Sequence, residues 1–415
     1  MRKLLYSILS LSIVSSVDAQ VVTPTQTEKA DQIQLNTITT AMPFLIITPD
    51  SRAGGIGDAG AATTADVNSL YWNTAKLAFS EHKSEVGVSY SPWLRQLVDD
   101  IHLSYLSGYK KLSKRHVIGG SLRYFSLGNI TFTNDVGNVT REFNPNEFEV
   151  LGGYAFKLSD YFSLGMNAKF AYSNLTGGIN VGSVASKAAI AGGVDLSAQF
   201  YNDELSLGNY DATWSAGLTI NNIGNKVSYT NTSTRDFLPT NLRLGTAYKI
   251  AFDDYNSLTG TVDFNKLLVP TTPFRDPNNV EQIISGKDND VGVIAGILQS
   301  FYDAPGIVTP DGNGNYEITK GSKFKEELRE INIGGGFEYW YGSLLAVRAG
   351  FYHEHASKGN RKYLTFGAGL YYTKFGIDIS YLASVTQNLP LANTVRFSLS
   401  FKFGDSKLSD SPSTN

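Results

Sequence analysis

Val395-Arg396-Phe397-Ser398-Leu399-Ser400-Phe401-Lys402-Phe403 is the stretch that decides the fold. Val395, Phe397, Leu399, Phe401 and Phe403 alternate with Arg396, Ser398, Ser400 and Lys402. Successive side chains of a strand point to opposite faces, so as a strand this segment has one apolar face and one polar face. A strand of a soluble sandwich shows the same pattern. Number and length separate the two cases, because soluble strands run about 5–6 residues and membrane-spanning ones about 9–11. The long pattern recurs upstream. Phe162, Leu164, Met166, Ala168, Phe170 and Tyr172 oppose Ser163, Gly165, Asn167, Lys169 and Ser173. Similar alternation runs over 213–220, 241–250, 345–354 and 363–372. Weaker copies fall near 85–91, 100–109, 117–126, 146–157, 187–201, 257–268, 330–340 and 375–384. Together these make about fourteen strands, an even number, as single-chain bacterial outer-membrane barrels have.

The connections alternate in length. Those near 158–161, 252–256, 341–343 and 373–375 are very short, and those near 127–145, 174–186, 224–238, 270–329 and 384–392 are mostly longer. Outer-membrane barrels pair short periplasmic turns with long outer loops, so both termini are expected on the periplasmic side. Composition agrees with an all-β transmembrane antiparallel barrel. Of 415 residues 40 are Gly, 23 Tyr and 23 Phe, while charged residues are only 18%, against about 25% in soluble domains. A mean hydropathy of -0.15 excludes a bundle of membrane helices. The net charge of -3 offers no basic field for nucleic acid. With 0 Cys the chain has no disulfides, thiol catalysis or thiolate metal sites.

At the start, Arg2 and Lys3 precede the apolar run 4–14, and Ser15, Ser16, Val17, Asp18 and Ala19 follow. This is the pattern of a cleaved secretory signal, with cutting expected after Ala19. The expected organisation is therefore a signal peptide over 1–19 and an N-terminal periplasmic segment and lumen plug over 20–81. A barrel over 82–404 and a flexible tail over 405–415 complete it. Within the plug, 41–79 has an ordered character, and its glycines are expected to pack against inward Gly217, Gly245, Gly367 and Gly369. The loop 270–329 carries one expected helix, Val291 to Tyr302, with Ile294, Ile297, Leu298 and Phe301 on one face, Asp290 as cap and Pro305 beyond its end. That face either lies on the barrel mouth as a lid or docks a partner.

Motifs that suggest chemistry fail on context. Gly55-Ile56-Gly57-Asp58-Ala59-Gly60 fits G-x-G-x-x-G but lacks the parallel strand–helix unit that gives the fingerprint its meaning. Asp311, Asn313 and Asn315 open a calcium-loop spacing, yet Tyr316 and Ser322 stand where the Gly and the bidentate Glu belong. His353-Glu354-His355 at a strand end reads as a solvated rim rather than a metal site. No cofactor, metal or catalytic residue is assigned. Arg123, Glu149, Lys157, Lys169, Asp195, Arg243, Asp263, Arg348, Glu354 and Arg396 face inward with mixed sign. They are expected to pair across the lumen and with the plug instead of forming a selective ring.

Three runs resemble the N-terminal signature of the PorV family, an outer-membrane component of type IX secretion in Bacteroidota. They are Pro49-Asp50-Ser51-Arg52-Ala53-Gly54-Gly55, then Gly57-Asp58-Ala59-Gly60, then Tyr71-Trp72-Asn73-Thr74-Ala75-Lys76-Leu77-Ala78-Phe79. Signal, N-terminal segment, barrel and long late loop extend the likeness over the whole chain. The resemblance implies a FadL-like barrel with a hatch in its lumen. FadL-like hatches often carry Asn-Pro-Ala, where this chain has Asn73-Thr74-Ala75. It further implies a non-enzyme that binds a giant SprA-type translocon barrel and cargo bearing C-terminal targeting domains. Cargo would then pass to an attachment complex containing the PorU sortase, with outer-membrane lipid as surroundings. Two other readings compete. A FadL-like transporter of hydrophobic solutes predicts an apolar pocket between hatch and wall and a kink in the wall. A lipid-modifying enzyme predicts a Ser/His set at the outer leaflet, and no such set is visible.

Overall fold

The computed structural model describes residues 35–93, 100–134, 136–178, 184–231, 235–311, 315–385 and 393–404. The expected signal peptide, the tail 405–415 and Asn313 lie outside these. The described residues from Asn36 onward form one compact unit.

Fourteen strands close into one barrel, each antiparallel to its neighbours. In chain order they are β1 (Ser84–Pro92), β2 (Ile101–Lys111), β3 (His116–Leu127), β4 (Asn146–Lys157), β5 (Phe162–Asn174), β6 (Ala189–Leu207) and β7 (Tyr210–Gly224). Then follow β8 (Asn241–Ala251), β9 (Asn256–Leu267), β10 (Ile331–Tyr341), β11 (Leu345–His353), β12 (Lys362–Tyr372), β13 (Phe375–Ser384) and β14 (Thr394–Phe403). The seam joins the first strand to the last, from Ser84↔Phe403 to Tyr90↔Phe397. Closure leaves no unpaired edge, as a lipid environment demands of every backbone polar group.

The faces are reversed relative to a soluble barrel. On β14, Phe397 and Leu399 are 45% and 52% exposed, while Arg396 and Ser398 are 3% and 6% exposed. Apolar side chains therefore cover the outside and polar ones line the lumen, as lipid outside requires. The short turns share one mouth, where Tyr210, Phe252, Tyr255, Tyr341, Tyr372, Phe375 and Phe403 are exposed as an aromatic girdle. Gly208, with φ 64°, supplies the left-handed residue of the two-residue β6–β7 turn.

The loop between β9 and β10 differs from expectation. It holds two helices, α1 (Val293–Gln299) and α2 (Ser322–Arg329), and two small hairpins, Phe274–Asp276 with Asn279–Ser285 and Val308–Pro310 with Tyr316–Ile318. Helix α1 is shorter than the expected 291–302. Gly292, not Asp290, stands at its N-cap with no side-chain cap. Asp290 is drawn away to Lys226, at 3.0 Å, and Lys226 also donates to the Val291 carbonyl. β11 ends at His353, so His353-Glu354-His355 is no continuous strand. Glu354 instead turns inward and takes both Arg361 Nε and Nη2 at 2.8 Å, closing the short connection 354–361.

Candidate functional site

The segment 36–80 runs down the inside of the barrel. Asn36 donates its N–H to the Ser357 carbonyl and its side chain to the Thr272 carbonyl and Glu326, all at the mouth of the long connections. Phe44 and Leu45 lie just inside, in a cluster with Leu103, Phe125 and Ala171, and both carbonyls accept from Arg123 Nη1. The chain reaches the opposite mouth at Ser80 and enters β1 there. Among the described residues, Asn36 lies at the long-connection mouth and Phe403 at the short-turn mouth.

Most of the signature residues are fasteners. Pro49 is buried. Asp50 accepts from Ala53 N–H at 3.0 Å, capping the turn Ser51–Gly54, and from Trp72 Nε1 at 2.6 Å. Ser51 N–H donates to Ser398. Arg52 forks onto Glu338 of β10 through Nε (3.0 Å) and Nη2 (2.8 Å), and its Nη1 reaches Asp66 at 2.9 Å. Glu338 is shared with Arg348 at 2.7 Å, which in turn holds Asp378 at 2.6 Å. Asp58 pairs with Arg396 at 3.2 Å, and the Gly60 and Ala61 N–H groups both donate to Asp263. Asn73 caps the turn Thr74–Phe79 and donates to Gln199 at 2.8 Å.

The glycine contacts are partly different from those expected. A Cβ on Gly55 would meet Gly367 Cα at 3.1 Å, and one on Gly217 would meet Asn73 at 2.7 Å. Gly57, at φ 70° with its N–H on Thr365, faces the Gly335 and Phe351 backbone instead, at 2.5 Å from a Cβ. Gly54 faces Arg396, and Gly60 faces the Trp72 ring. Gly369 faces the wall residues Asp378, Tyr371 and Arg348 first.

The inward charges are held in pairs or against the plug. Lys169 bonds Asp195 at 2.9 Å, and Arg243 stacks on Trp72 at 4.5 Å. Lys157 bonds exposed Asp160 at the short-turn rim and lies over the Phe79 ring, 5.5 Å from its centre. Glu338 and Asp378 join this set although the sequence reading passed them over. Their signal was a carboxylate on the polar face of an alternating strand. The ladder between β6 and β7 does shift register between Val194 and Leu196. Asp195 fills that break, accepting from the Asn222 N–H at 2.7 Å and from Lys169.

At the long-connection mouth a second polar network ties the large loop down. Glu330 takes Lys266 at 2.6 Å, Lys358 at 2.9 Å and the Thr271 hydroxyl at 2.7 Å. Glu326 takes Lys358 and the Gly306 N–H, and Glu327 takes Lys266 and the Ala304 N–H. Asp303 accepts from Thr271 N–H, and burial, with Glu327 and Glu330 nearby, pushes its carboxyl up to about 7. A cavity of about 350 Å³ lies beneath, with Ile38, Pro43, Ile46 and Leu267 facing Glu330, Lys358, Glu354 and Arg361.

Both helices of this loop are turned inside out. In α2 the buried residues are Ser322 and Glu326, while Phe324 and Leu328 are 69% and 52% exposed. In α1 the buried residue is Gly296, close against Phe237 and Pro270, while Ile294 and Leu298 are 64% and 60% exposed. Phe301 is exposed and Ile297 half-buried. Among the described residues no group of three or more His, Asp or Glu is placed to hold a metal.

A sequence profile described as Type IX secretion system protein PorV matches residues 29–274, more than half of the chain. No curated protein sequence matches it. Among solved structures the chain is similar to the Ralstonia pickettii toluene transporter TbuX, with 11% identity and a TM-score of 0.46 over 86% of this chain and 98% of that one. It is similar to the Pseudomonas putida toluene transporter TodX, with 11% identity and a TM-score of 0.47 over 86% and 99%. A Pseudomonas aeruginosa FadL homologue gives 12% identity and a TM-score of 0.40 over 89% and 100%.

Proposed function

Because the chain belongs to the PorV family of type IX secretion system proteins, we propose that it is the outer-membrane docking component of that system. In this reading it binds the SprA-type translocon barrel and accepts cargo through C-terminal targeting domains. It then passes the cargo to a PorU-type attachment complex. The long connections face the cell exterior and the short turns the periplasm, following the general rule for such barrels. The working surface is the outer mouth. The observation that carries this reading is the inverted polarity of α1 and α2, whose apolar side chains Ile294, Leu298, Phe324 and Leu328 face water. Exposed apolar faces on a rigidly tied loop suit helix-in-groove recognition. A lid would turn those faces inward. The lumen is a poor conduit, because a solute would have to break the buried Arg52–Glu338–Arg348 chain.

The test is the double variant Ile294→Ser with Leu298→Ser, which spares half-buried Ile297. Co-purification of the translocon and secretion of cargo should fall several-fold while the barrel inserts normally. Unchanged secretion and co-purification with an intact barrel would move the partner surface away from this loop.

A further inference from the structure

Charge is unevenly spread around the short-turn mouth. Lys83, Lys110, Lys111, Lys114, Arg115 and Lys157 gather at the short-turn ends of four neighbouring strands, β1 to β4. The acids on these same strand ends and turns are exposed Glu81, Glu85 turned into the lumen, and Asp160, which is engaged by Lys157 at 3.1 Å. Asp203 and Glu204 at the β6–β7 end line the same cavity as Lys83, Lys111, Lys114 and Lys157, and farther round the β8–β9 end carries Asp253 and Asp254, with Lys249 turned inward.

The basic arc also faces sideways. Ser107 and Tyr109 are buried toward the lumen at 2% and 4%, so alternation puts Lys110 on the outer face with Leu106. Its ladder partner Ile118 is on that face too, 43% exposed. One strand over, His116 Nδ1 lies 2.5 Å from the Tyr154 hydroxyl, again on the outer face. Leu112, in the turn between Lys111 and Lys114, is 57% exposed. Ammonium and guanidinium groups on long apolar stems, next to exposed apolar side chains at the edge of a lipid-facing wall, can lie along hydrocarbon and reach a phosphate.

We propose that this arc binds the anionic headgroup of phospholipid in the leaflet nearest the short turns. The outward aim of Lys110 into the bilayer edge favours lipid over an acidic protein in the aqueous space below. The proposal uses the barrel's position in the membrane but not its docking role, so loss of secretion in the loop variant leaves it untouched.

The experiment is native mass spectrometry of the full-length protein in neutral detergent, given equal palmitoyl-oleoyl phosphatidylglycerol and phosphatidylcholine. Phosphatidylglycerol should be retained several-fold over phosphatidylcholine. Lys83→Gln, Lys110→Gln and Arg115→Gln together should bring the ratio near one. Lys110→Arg alone should preserve it, and both variants should keep the heat-modifiable gel mobility of a folded barrel. Equal retention of the two lipids by the wild type would overturn the proposal, as would an unchanged preference in the triple variant. Displacement of the lipid by excess glycerol 3-phosphate would overturn it too, by reducing the arc to a free-phosphate site. A folded triple variant that loses the preference, with glycerol 3-phosphate inert, supports it.

Discussion

Arg52 sits at the hub of the lumen, with its side chain 9% exposed and two carboxylates on its guanidinium. Planar bidentate pairing is what an Arg does best in a dry interior. Removing it leaves Glu338 with Arg348 alone and Asp66 without the Arg52 guanidinium, held by the Asn68 N–H and the Ser69 hydroxyl. Breaking a buried pair from one side costs about 3–5 kcal/mol. Arg52→Ala should therefore lower the thermal unfolding midpoint of the purified barrel clearly, whereas Arg275→Ala, on an exposed loop pair, should barely move it. Equal midpoints for Arg52→Ala and wild type would remove the hub from the account. Arg52 stood out in the sequence only as part of a signature. Its partner Glu338 is 286 residues away, and no local periodicity links two such positions. Gly57 is the opposite case: a Gly-rich run announces a backbone needing positive φ or close approach, though not which strand it meets.

Strands were the legible elements. A ten-residue strand between lipid and a polar lumen writes its polarity into every second position, as β14 does, although β2 turns Ile101, Leu103 and Tyr105 inward. Helix α2 was not legible. Its partners are charged, so Glu326, Glu327 and Glu330 bury on ion pairs while Phe324 and Leu328 stay outside. A search for apolar faces turned inward passes over such a helix. Asp303 in the same loop adds a pH dependence. Its carboxyl is raised to about 7 by burial, so the folded loop holds a proton that the unfolded chain releases near pH 4. That stabilisation is full below the unfolded value and fades as pH rises toward 7. Hydrogen exchange over 270–310 should show stronger protection at pH 5 than at pH 8 after correction for the intrinsic rate. Asp303→Asn should flatten the difference, and a variant that keeps it would assign the titration elsewhere.

The molecule as a whole has two unlike mouths, and its lumenal segment runs from one to the other. Cysteines at Thr37 and Val280, both exposed at the long-connection mouth, should react with an impermeant maleimide on whole cells. A cysteine at Leu112 should react only after the outer membrane is opened. Labelling at Leu112 but not at Thr37 in intact cells would invert the orientation. The direction of this segment was invisible in the sequence, because it depends on contacts such as Asn36 with Ser357 and Glu326. The seam between β1 and β14 sets an order of events. Tyr90 and Phe397 come from opposite ends of the chain, so this ladder can form only after every other strand has been made. Until then the sheet is an open trough. The lumenal segment can be laid into that trough from the side, with Arg52 meeting Glu338 before the walls come round. Once the first and last strands zip together the segment is captive, and no threading through a finished ring is ever needed.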